Sequence, residues 1–521
     1  MKEPFFLQLR KQANTKIKYK TKKQKKEQQN IMEQEFELIA KTFMGLEQVL
    51  AQELIQLGAN NVQIGRRMVS FTGDKEMMYR ANFQLHTAIR ILKPITHFKA
   101  KSADDVYNEV KKIDWDKYLD LKQSFAVDSV VFSEEFRHSK FVSYKVKDAI
   151  VDQFREKTGQ RPNISVANPD IRLNMHIAED RCTLSLDSSG ESLHRRGYRQ
   201  EAVEAPLNEV LAAGMILMTG WKGDCDFIDP MCGSGTLPIE AALIARNIAP
   251  GVFRKEYAFE KWPDFDEELF DKIYNDDSQE REFNHHIYGY DIDMAAVAKA
   301  KLNVKAAGMT KDITIEQADM ADFKQPSEPS IIVMNPPYGE RISTPDLLGT
   351  YKMIGEVLKF QFKDNDAWVL SYREECFDQI GLRPSIKIPL YNGSLECELR
   401  KYQIFEGKLK TFRSEGNILK TEEEKRAMAE KHRFKKNREF KQRLEEEEEN
   451  EEGDIRTFKF HKIGFKSNDN APRERRRFDR DDRFSGNRDN RKGRWGERPE
   501  GRGDGRRYSG NKGKRYDHDK H

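Results

Sequence analysis

The sequence predicts an α/β protein, in which a small α+β module precedes a parallel sheet with flanking helices, between two charged tails. Three observations support this prediction. Apolar strand patterns alternate with amphipathic helix patterns from residue 35 to residue 407. In the second half, the buried strand patterns end in acidic or glycine-rich segments, as they do in doubly wound sheets. The last 56 residues contain no Leu, Ile, Val or Met, so they cannot contribute to a core.

The composition limits the class of protein. The chain has 521 residues, enough for about three domains, and 91 Lys and Arg nearly balance 87 Asp and Glu. No apolar stretch approaches the ~18 residues of a membrane span, and the N-terminus lacks the apolar core of a secretory signal. The five cysteines form no Cys-x-x-Cys pair, which disfavours a disulfide framework or a zinc site. We therefore expect a cytoplasmic protein with no membrane partner and no metal.

The basic charge is concentrated in two tails. The predicted disordered extension over residues 1–34 is either a basic RNA-binding arm or an extended gene start, with Met32 as the alternative first residue. Residues 408–465 predict a charged linker that contains an exposed helix. Residues 466–521 carry nineteen Lys or Arg against eleven Asp or Glu, and Arg-Gly steps alternate there with aromatic residues. This pattern predicts a disordered tail that contacts single-stranded RNA, with a purely solubilising tail as the alternative.

Two α+β units fill the first half of the folded part. Residues 35–100 predict a ferredoxin-like unit, with a strand at the start, a helix from Gly45 and a hairpin around Gly65-Arg66. Residues 101–198 predict a second unit, in which a helix over residues 143–157 lies between strands. Its many Lys and Arg side chains suit either nucleic-acid contact or a solvated helix face, and charge alone does not separate the two.

The second half opens with a helix over residues 205–220, followed by a strand, a glycine loop and another helix. The buried strand over residues 226–228 runs into Asp229-Pro-Met-Cys-Gly-Ser-Gly-Thr236. Gly233 and Gly235 would let the backbone approach a ligand where a Cβ atom would collide. This pattern is weak by itself, because dinucleotide binding and a plain tight turn have the same signature.

The following strands narrow the choice of ligand. A second strand ends in Asp291, at the position where an acid typically accepts hydrogen bonds from ribose hydroxyls. A third strand leads to Asp319. A fourth, over residues 330–334, leads directly into Asn335.

The segment Asn335-Pro336-Pro337-Tyr338 is the most specific signal in the chain. A buried strand that ends in Asn-Pro-Pro-Tyr resembles motif IV of the class I S-adenosylmethionine-dependent methyltransferases that modify planar amino nitrogens, and the resemblance implies the following chemistry. An exocyclic amine on a base is a poor nucleophile, because its lone pair is delocalised into the ring. The Asn335 side-chain oxygen and the Pro336 carbonyl could both accept the amine hydrogens and turn the lone pair toward a methyl donor. The prolines fix that geometry in advance, and Tyr338 offers a ring face for an extruded base. A rigid turn with a packing tyrosine is the structural alternative.

These motifs, together with the segment FVSYKVKDAIVDQFREKTGQRP at residues 141–162 and LYNGSLEC at residues 390–397, resemble the THUMP-linked class I S-adenosylmethionine-dependent RNA methyltransferases. The resemblance covers about residues 35–407. It implies a THUMP RNA-binding domain over residues 101–198 and a Rossmann-like methyltransferase domain over residues 199–407.

The resemblance also implies S-adenosyl-L-methionine as cofactor and a role for each residue type. Asp291 would bind the ribose and Asp319 the adenine amine, while Asn335, Pro336 and Tyr338 would act on the target base. The remaining cofactor contacts would come from Asp229, Gly233, Gly235, Thr236 and again Asn335. Cys232 is not expected to act as a nucleophile, because amine methylation needs no covalent enzyme intermediate.

Within this family the motifs are most similar to the guanine-N2 methyltransferase half of the bacterial large-subunit rRNA enzymes. The expected reaction is methylation of a guanine N2 amine in 23S rRNA or its ribosome-assembly precursor, with RNA held through the THUMP domain and the basic tails. Three alternatives remain open: a tRNA substrate, adenine-N6 methylation of DNA, and a ribosome-assembly factor that only binds RNA.

Overall fold

The structure is a computed structural model that describes residues 35–136, 138–324, 329–339 and 346–405. The predicted N-terminal extension, charged linker and Arg/Gly tail lie outside the described residues. The described part contains two sheets, one of eight strands and one of seven. Within it, no helix is long and apolar enough to cross a membrane.

The first sheet contains eight strands and carries four helices. Its strands are β1 (Phe36–Lys41), β2 (Asn60–Gly65), β3 (Met68–Gly73), β4 (Arg90–Lys99), β5 (Ser124–Phe132), β6 (Asn163–Ile164), β7 (Ile171–Ala178) and β8 (Arg181–Asp187). They lie side by side in the order β2-β3-β1-β4-β8-β7-β5-β6. The helices are α1 (Glu47–Leu57), α2 (Lys75–Gln84), α3 (Ala103–Lys111) and α4 (Ser139–Thr158).

Strand β4 joins the two predicted α+β units into this single sheet. It pairs with β1 on one side and, antiparallel, with β8 on the other, where Leu92 lies opposite Asp187. The helices bury one face of the sheet, on which Leu38 and Leu184 share a core with Leu50 and Val146. The opposite face carries charged side chains such as Arg172 and Asp128, together with the exposed Val130 and Phe132. The two units therefore share one continuous sheet. The sequence pattern predicted a boundary between them after residue 100 and did not predict this.

The second sheet is the predicted α/β half. Its strands are β9 (Asp226–Asp229), β10 (Ile287–Asp291), β11 (Ile313–Gln317), β12 (Ser330–Met334), β13 (Asp366–Ser371), β14 (Ile386–Asn392) and β15 (Leu395–Gln403). Its helices are α5 (Glu209–Thr219), α6 (Thr236–Arg246), α7 (Glu267–Tyr274), α8 (Met294–Ala306), α9 (Leu347–Gln361) and α10 (Glu374–Ile380). The strand order is β11-β10-β9-β12-β13-β15-β14, with the first five strands parallel and β15 antiparallel to both its neighbours. The predicted fold class is thus confirmed.

A segment between α6 and β10 packs on the first sheet's core. The rings of Tyr79 from α2 and Phe259 stack with their centroids 4.4 Å apart, and Phe270 of α7 meets Phe259 edge-on at 5.0 Å. Aromatic burial of this kind contributes strongly to association between elements. It fixes the methyltransferase half against the N-terminal module.

Two helix starts differ from the sequence prediction. Helix α4 begins at Ser139, one turn before residue 143, and α5 begins at Glu209 rather than near residue 205. In α5 the side chain of Asn208 accepts hydrogen bonds from the backbone N–H groups of Val210 and Leu211, which caps the helix there. The preceding segment is thereby left outside the helix, and it lines the cavity described next.

Candidate active site

A cavity of about 710 Å³ opens where the parallel strands of the second sheet end. Asp229 and Asp291, the last residues of β9 and β10, line its wall. Asp319 lies two residues beyond β11, Asn335 follows β12 directly, and both also line the cavity. Carboxyl ends of neighbouring parallel strands meet at one edge, and the strand order reverses between β9 and β12. Four polar side chains from distant parts of the sequence therefore converge on one space.

The cavity brings together nearly all of the predicted site residues. Its wall contains Asp229, Gly233, Thr236, Asp291, Asp319, Asn335, Pro336 and Tyr338. Gly235 is not in the wall. Its φ of 82° is left-handed, and a Cβ atom there would lie 3.2 Å from the Cβ atom of Ala300 in α8. Gly235 thus allows the start of α6 to pack against α8, which positions the loop without lining the cavity.

Two backbone N–H groups of the glycine loop donate hydrogen bonds to residues of β10. The N–H of Cys232 donates to the carbonyl of Tyr290 at 2.7 Å, and the N–H of Gly233 donates to the Asp291 carboxylate at 2.9 Å. The second oxygen of that carboxylate accepts from the N–H of Asp293 at 2.9 Å. Each carboxylate oxygen has a further lone pair, so Asp291 is oriented and can still accept hydrogen bonds from a ligand.

Burial changes the ionisation of the groups around this loop. Asp229 is 1% exposed, and burial raises the pKa of its carboxyl well above the ordinary value, an effect that the charge of Asp291 increases. Burial also raises the pKa of Asp291. The pKa of the Cys232 thiol is raised well above its ordinary value by burial and by the charges of Asp229 and Asp291. A thiol in this environment stays protonated, which agrees with the expectation that Cys232 is not a nucleophile.

The acceptor segment carries a contact that the sequence did not predict. The Tyr338 hydroxyl donates a hydrogen bond to the side-chain oxygen of Asn335. The Tyr338 ring is 9% exposed and meets the ring of Tyr372 edge-on at 5.8 Å. Burial raises the pKa of the Tyr338 hydroxyl well above its ordinary value, so the hydroxyl remains a donor. Tyr338 therefore orients the Asn335 amide in addition to lining the cavity.

Arg199 is a second feature that sequence reasoning missed. Its guanidinium donates to the hydroxyls of Ser234 and Thr236, both at 2.9 Å, and to the Glu209 carboxylate at 2.8 Å. Asn303 of α8 donates to the carbonyl of Ser234 at 2.9 Å. The side chain of Thr236 is thus engaged by Arg199. No local pattern in the sequence indicates that Arg199 reaches a loop 35 residues away.

A buried ion pair lies behind the loop. Arg196 and Glu240 are 2% and 0% exposed, and the Arg196 guanidinium donates to the carboxylate at 3.3 Å. The Tyr198 hydroxyl donates to the same carboxylate at 2.9 Å. Burial favours the neutral carboxyl, but the charge and hydrogen bonds of Arg196, together with His86, outweigh that effect and lower the pKa of Glu240. This pair attaches the segment that leaves the first sheet to helix α6.

The fold and the cavity define a Rossmann-like methyltransferase domain that follows an α+β module. Three family models match the chain: the RlmL ferredoxin-like domain over residues 37–92, the THUMP domain over residues 100–187, and the RMKL-like methyltransferase domain over residues 196–401. The chain belongs to this family of THUMP-containing, RMKL-like RNA methyltransferases. The predicted family and its cofactor, S-adenosylmethionine, are confirmed at this level.

Three relatives document the match. A putative RNA methyltransferase of Synechocystis is 39% identical over 364 residues, which are 69% of this chain and 95% of the relative. The ribosomal RNA large subunit methyltransferase K/L of Syntrophotalea carbinolica is 40% identical over 70% of this chain and 53% of the relative, so this chain spans about half of that protein. The crystal structure of a putative methyltransferase complexed with SAH is 31% identical, with a TM-score of 0.65, and covers 72% of this chain and all of its own.

Proposed function

We propose that this chain transfers a methyl group from S-adenosylmethionine to the exocyclic N2 amine of a guanine in 23S rRNA. One observation carries the proposal: Asn335, Pro336 and Tyr338 line the same cavity as the glycine loop and the strand-end acids. A cofactor site and an amine-holding segment in one cavity suit direct transfer between two bound molecules.

The residues present fit the cofactor. Asp291 would accept hydrogen bonds from the ribose hydroxyls, Asp319 would accept them from the adenine amine, and the backbone at Gly233 borders the same space. Thr236 would act through the loop, because its hydroxyl is engaged by Arg199. When bound, the cofactor supplies an electrophilic methyl group, and the chain supplies position and exclusion of water.

The acceptor segment prepares the amine. The Asn335 side-chain oxygen and the Pro336 carbonyl would accept the two amine hydrogens, so that the nitrogen lone pair faces the methyl group. The Tyr338 hydroxyl holds the Asn335 oxygen by its own hydrogen bond, which leaves the other lone pair for the substrate. The amine nitrogen would form the new N–C bond as the bond between sulfur and the methyl group breaks, with S-adenosylhomocysteine as the leaving group. The nitrogen would then lose a proton to water or a nearby carbonyl. No side chain is assigned as general base.

The choice of RNA rests on the THUMP match and on the names of the relatives. The choice of 23S rRNA and of guanine N2 rests on the similarity to the K/L relatives, of which this chain spans about half. Asn-Pro-Pro-Tyr suits adenine N6 as well as guanine N2, because both are planar exocyclic amines. The test must therefore distinguish both the base and the nucleic acid.

The test is mass-spectrometric nucleoside analysis of 23S rRNA, tRNA and DNA from cells with and without the gene. We expect loss of one N2-methylguanosine from 23S rRNA, restored by the wild-type gene and not by Asn335→Ala. Loss of N2-methylguanosine from tRNA would mean that tRNA is the substrate. Loss of N6-methyladenine from DNA would mean that DNA is the substrate. If no methylated nucleoside changes and Asn335→Ala rescues every deletion phenotype, the chain acts by binding RNA alone and the enzymatic proposal is wrong.

A further inference from the structure

The turn between β2 and β3 consists of two arginines. Arg66 and Arg67 are exposed, and neither guanidinium has a hydrogen bond or ion pair in the part of the chain that the structure describes. Arg67 also has a φ of 57°, in the left-handed region that costs a non-glycine residue energy. The hairpin therefore projects two unpaired positive charges from a turn with a fixed backbone.

This turn lies beside the methyltransferase domain. The Glu47 carboxylate accepts hydrogen bonds from the N–H groups of Arg67, at 2.9 Å, and Gly45, at 2.7 Å. Gly45 packs against β14 so closely that a Cβ atom there would lie 2.7 Å from the carbonyl oxygen of Pro389. Strand β14 ends at Asn392, which lines the cavity. The hairpin turn is thus fixed next to the strand that forms part of the cavity wall.

Electrostatic effects agree with that placement. Burial and the Glu396 carboxylate raise the pKa of the Tyr391 hydroxyl, and the charge of Arg66 opposes the rise. Tyr391 is the neighbour of Asn392 in β14. The positive charge of Arg66 therefore acts on the strand that ends at the cavity wall.

Lys41 adds a third cation on the same side. It lies at the end of β1, opposite Arg90 in the pairing of β1 with β4, and its side chain forms no ion pair among the described residues. Burial and the charge of Arg67 lower the pKa of the Lys41 amine. Burial and the charge of Lys41 in turn lower the pKa of His176, farther along the face opposite the helices. The charges of Lys41 and Arg67 are thus close enough to repel each other.

Several charged groups elsewhere on this face are paired, unlike these three cations. Arg90 forms an ion pair with Asp187, Arg172 donates to Asp128 at 2.7 Å, and His97 contacts Glu37 at 2.7 Å. These pairs involve residues of β4, β5, β7, β8 and β1. Among the described residues, Lys41, Arg66 and Arg67 form no ion pair and lie together at the end nearest the cavity, whereas the exposed Arg181 lies at the other end of the face.

We propose that Lys41, Arg66 and Arg67, the hairpin cation cluster, bind the phosphodiester backbone of the RNA substrate beside its target nucleotide. The proposal rests on the proposed function in taking RNA as the substrate. A base that enters the cavity must leave its stack, while the flanking phosphates stay outside and need support there. Arginine forks match phosphate geometry, and a polyanion relieves the repulsion between the cluster's charges. The cluster would therefore determine which nucleotide of the RNA can enter the cavity.

The test removes two of the charges and keeps the turn. In the double variant Arg66→Gln/Arg67→Asn, asparagine tolerates the left-handed conformation at position 67. The matched control is Lys222→Gln/Lys311→Gln, which removes two exposed cations at the amino ends of β9 and β11, the opposite edge of the sheet. The probe is unmodified 23S rRNA transcribed in vitro, and its Kd is measured from 0.1 to 1 M salt in the full-length chain.

We expect the salt dependence of log Kd to become shallower by about 1.4 in the cluster variant, at roughly 0.7 per lost contact to single-stranded RNA. Binding at 0.1 M salt then weakens about 25-fold relative to wild type, and the difference vanishes toward 1 M. In methyl transfer the loss should appear in KM for RNA, with kcat and SAH affinity retained, which a damaged fold would not produce.

Two results would overturn the proposal. One is a cluster variant whose Kd depends on salt as steeply as that of the wild type. The other is an equal change of the salt slope in the control variant, which would mean that only the net charge of the protein matters. The proposed function fails by a separate observation: wild-type protein that binds the transcript but transfers no methyl group to it. In that case the comparison of salt slopes still decides whether the cluster binds RNA phosphates.

Discussion

The rim of the cavity and the polar junction behind it contain similar side chains in opposite situations. At the rim, Asp291, Asp319 and Asn335 are partly exposed and have lone pairs left over. In the junction, Arg196 and Glu240 are almost fully buried and satisfy each other. Polar groups with unused hydrogen-bonding capacity can act on a ligand, whereas satisfied buried groups can only hold the backbone in place. Within one domain, the side chains at the rim can therefore act on a ligand, whereas those in the junction position the backbone.

Arg199 connects the two regions. It lies three residues beyond the Arg196 of the junction, and its guanidinium reaches the hydroxyls of Ser234 and Thr236 in the glycine loop. The junction therefore fixes the loop, and the loop lines the cavity. Four substitutions test this division, and they are ordered here by the size of the expected effect.

Glu240→Gln should give the largest change in stability. It leaves the Arg196 guanidinium buried without a counterion, which costs about 3–5 kcal/mol in the free energy of unfolding. The control is Glu191→Gln, which breaks the exposed pair with Arg195 and should cost at most about 1 kcal/mol. Denaturant unfolding measures both. Equal small losses would mean that the junction does not hold the domain together.

Asn335→Ala should give the largest change in activity. Loss of the amide oxygen removes an acceptor that acts in the transition state, so kcat should fall by about 10²–10³-fold. SAH affinity, measured by calorimetry, should stay near wild type, while the free energy of unfolding should fall by about 1–3 kcal/mol, because the buried Tyr338 hydroxyl loses its acceptor. An equal loss of turnover and of cofactor affinity would mean that Asn335 supports cofactor binding and does not handle the amine.

Arg199→Lys should weaken cofactor binding without directly touching the cavity. A lysine amine cannot replace the planar fork that reaches Ser234, Thr236 and Glu209 together, so the loop loses one or two hydrogen bonds. We expect a loss of about 1–2 kcal/mol in SAH affinity, roughly five- to thirtyfold in Kd. Arg195→Lys, at an exposed position nearby, is the control. Unchanged SAH affinity in Arg199→Lys would mean that the junction does not hold the cofactor loop in its binding conformation.

Tyr338→Phe should have the smallest effect and distinguishes two roles for one side chain. If the hydroxyl orients Asn335, its loss should lower kcat by about two- to tenfold, or about 0.5–1.5 kcal/mol. If only the ring face matters, Tyr338→Phe should retain wild-type kcat while Tyr338→Ala loses activity. Single-turnover methyl transfer at saturating RNA measures both variants.

Much of the candidate site could be predicted because it follows strand ends. Asp291 and Asn335 come directly at the end of apolar strand patterns, and Asp319 follows one closely, so their place at a common edge follows from the parallel arrangement. Gly235 was assigned to the cofactor contacts on its motif, yet it packs against Ala300. A glycine motif indicates that the backbone needs space, but it does not indicate whether a ligand or a helix occupies that space.

The sequence by itself determined the order of the domains, the strand–loop–helix of the cofactor loop and the acceptor segment. Each of these depends on residues that are near one another along the chain. Only the tertiary structure decided that β4 joins two units into one sheet, that Arg199 reaches Ser234, and that Glu47 accepts a hydrogen bond from Arg67. These contacts join residues many positions apart, and their partners are common polar types whose pairing is set by how the elements pack.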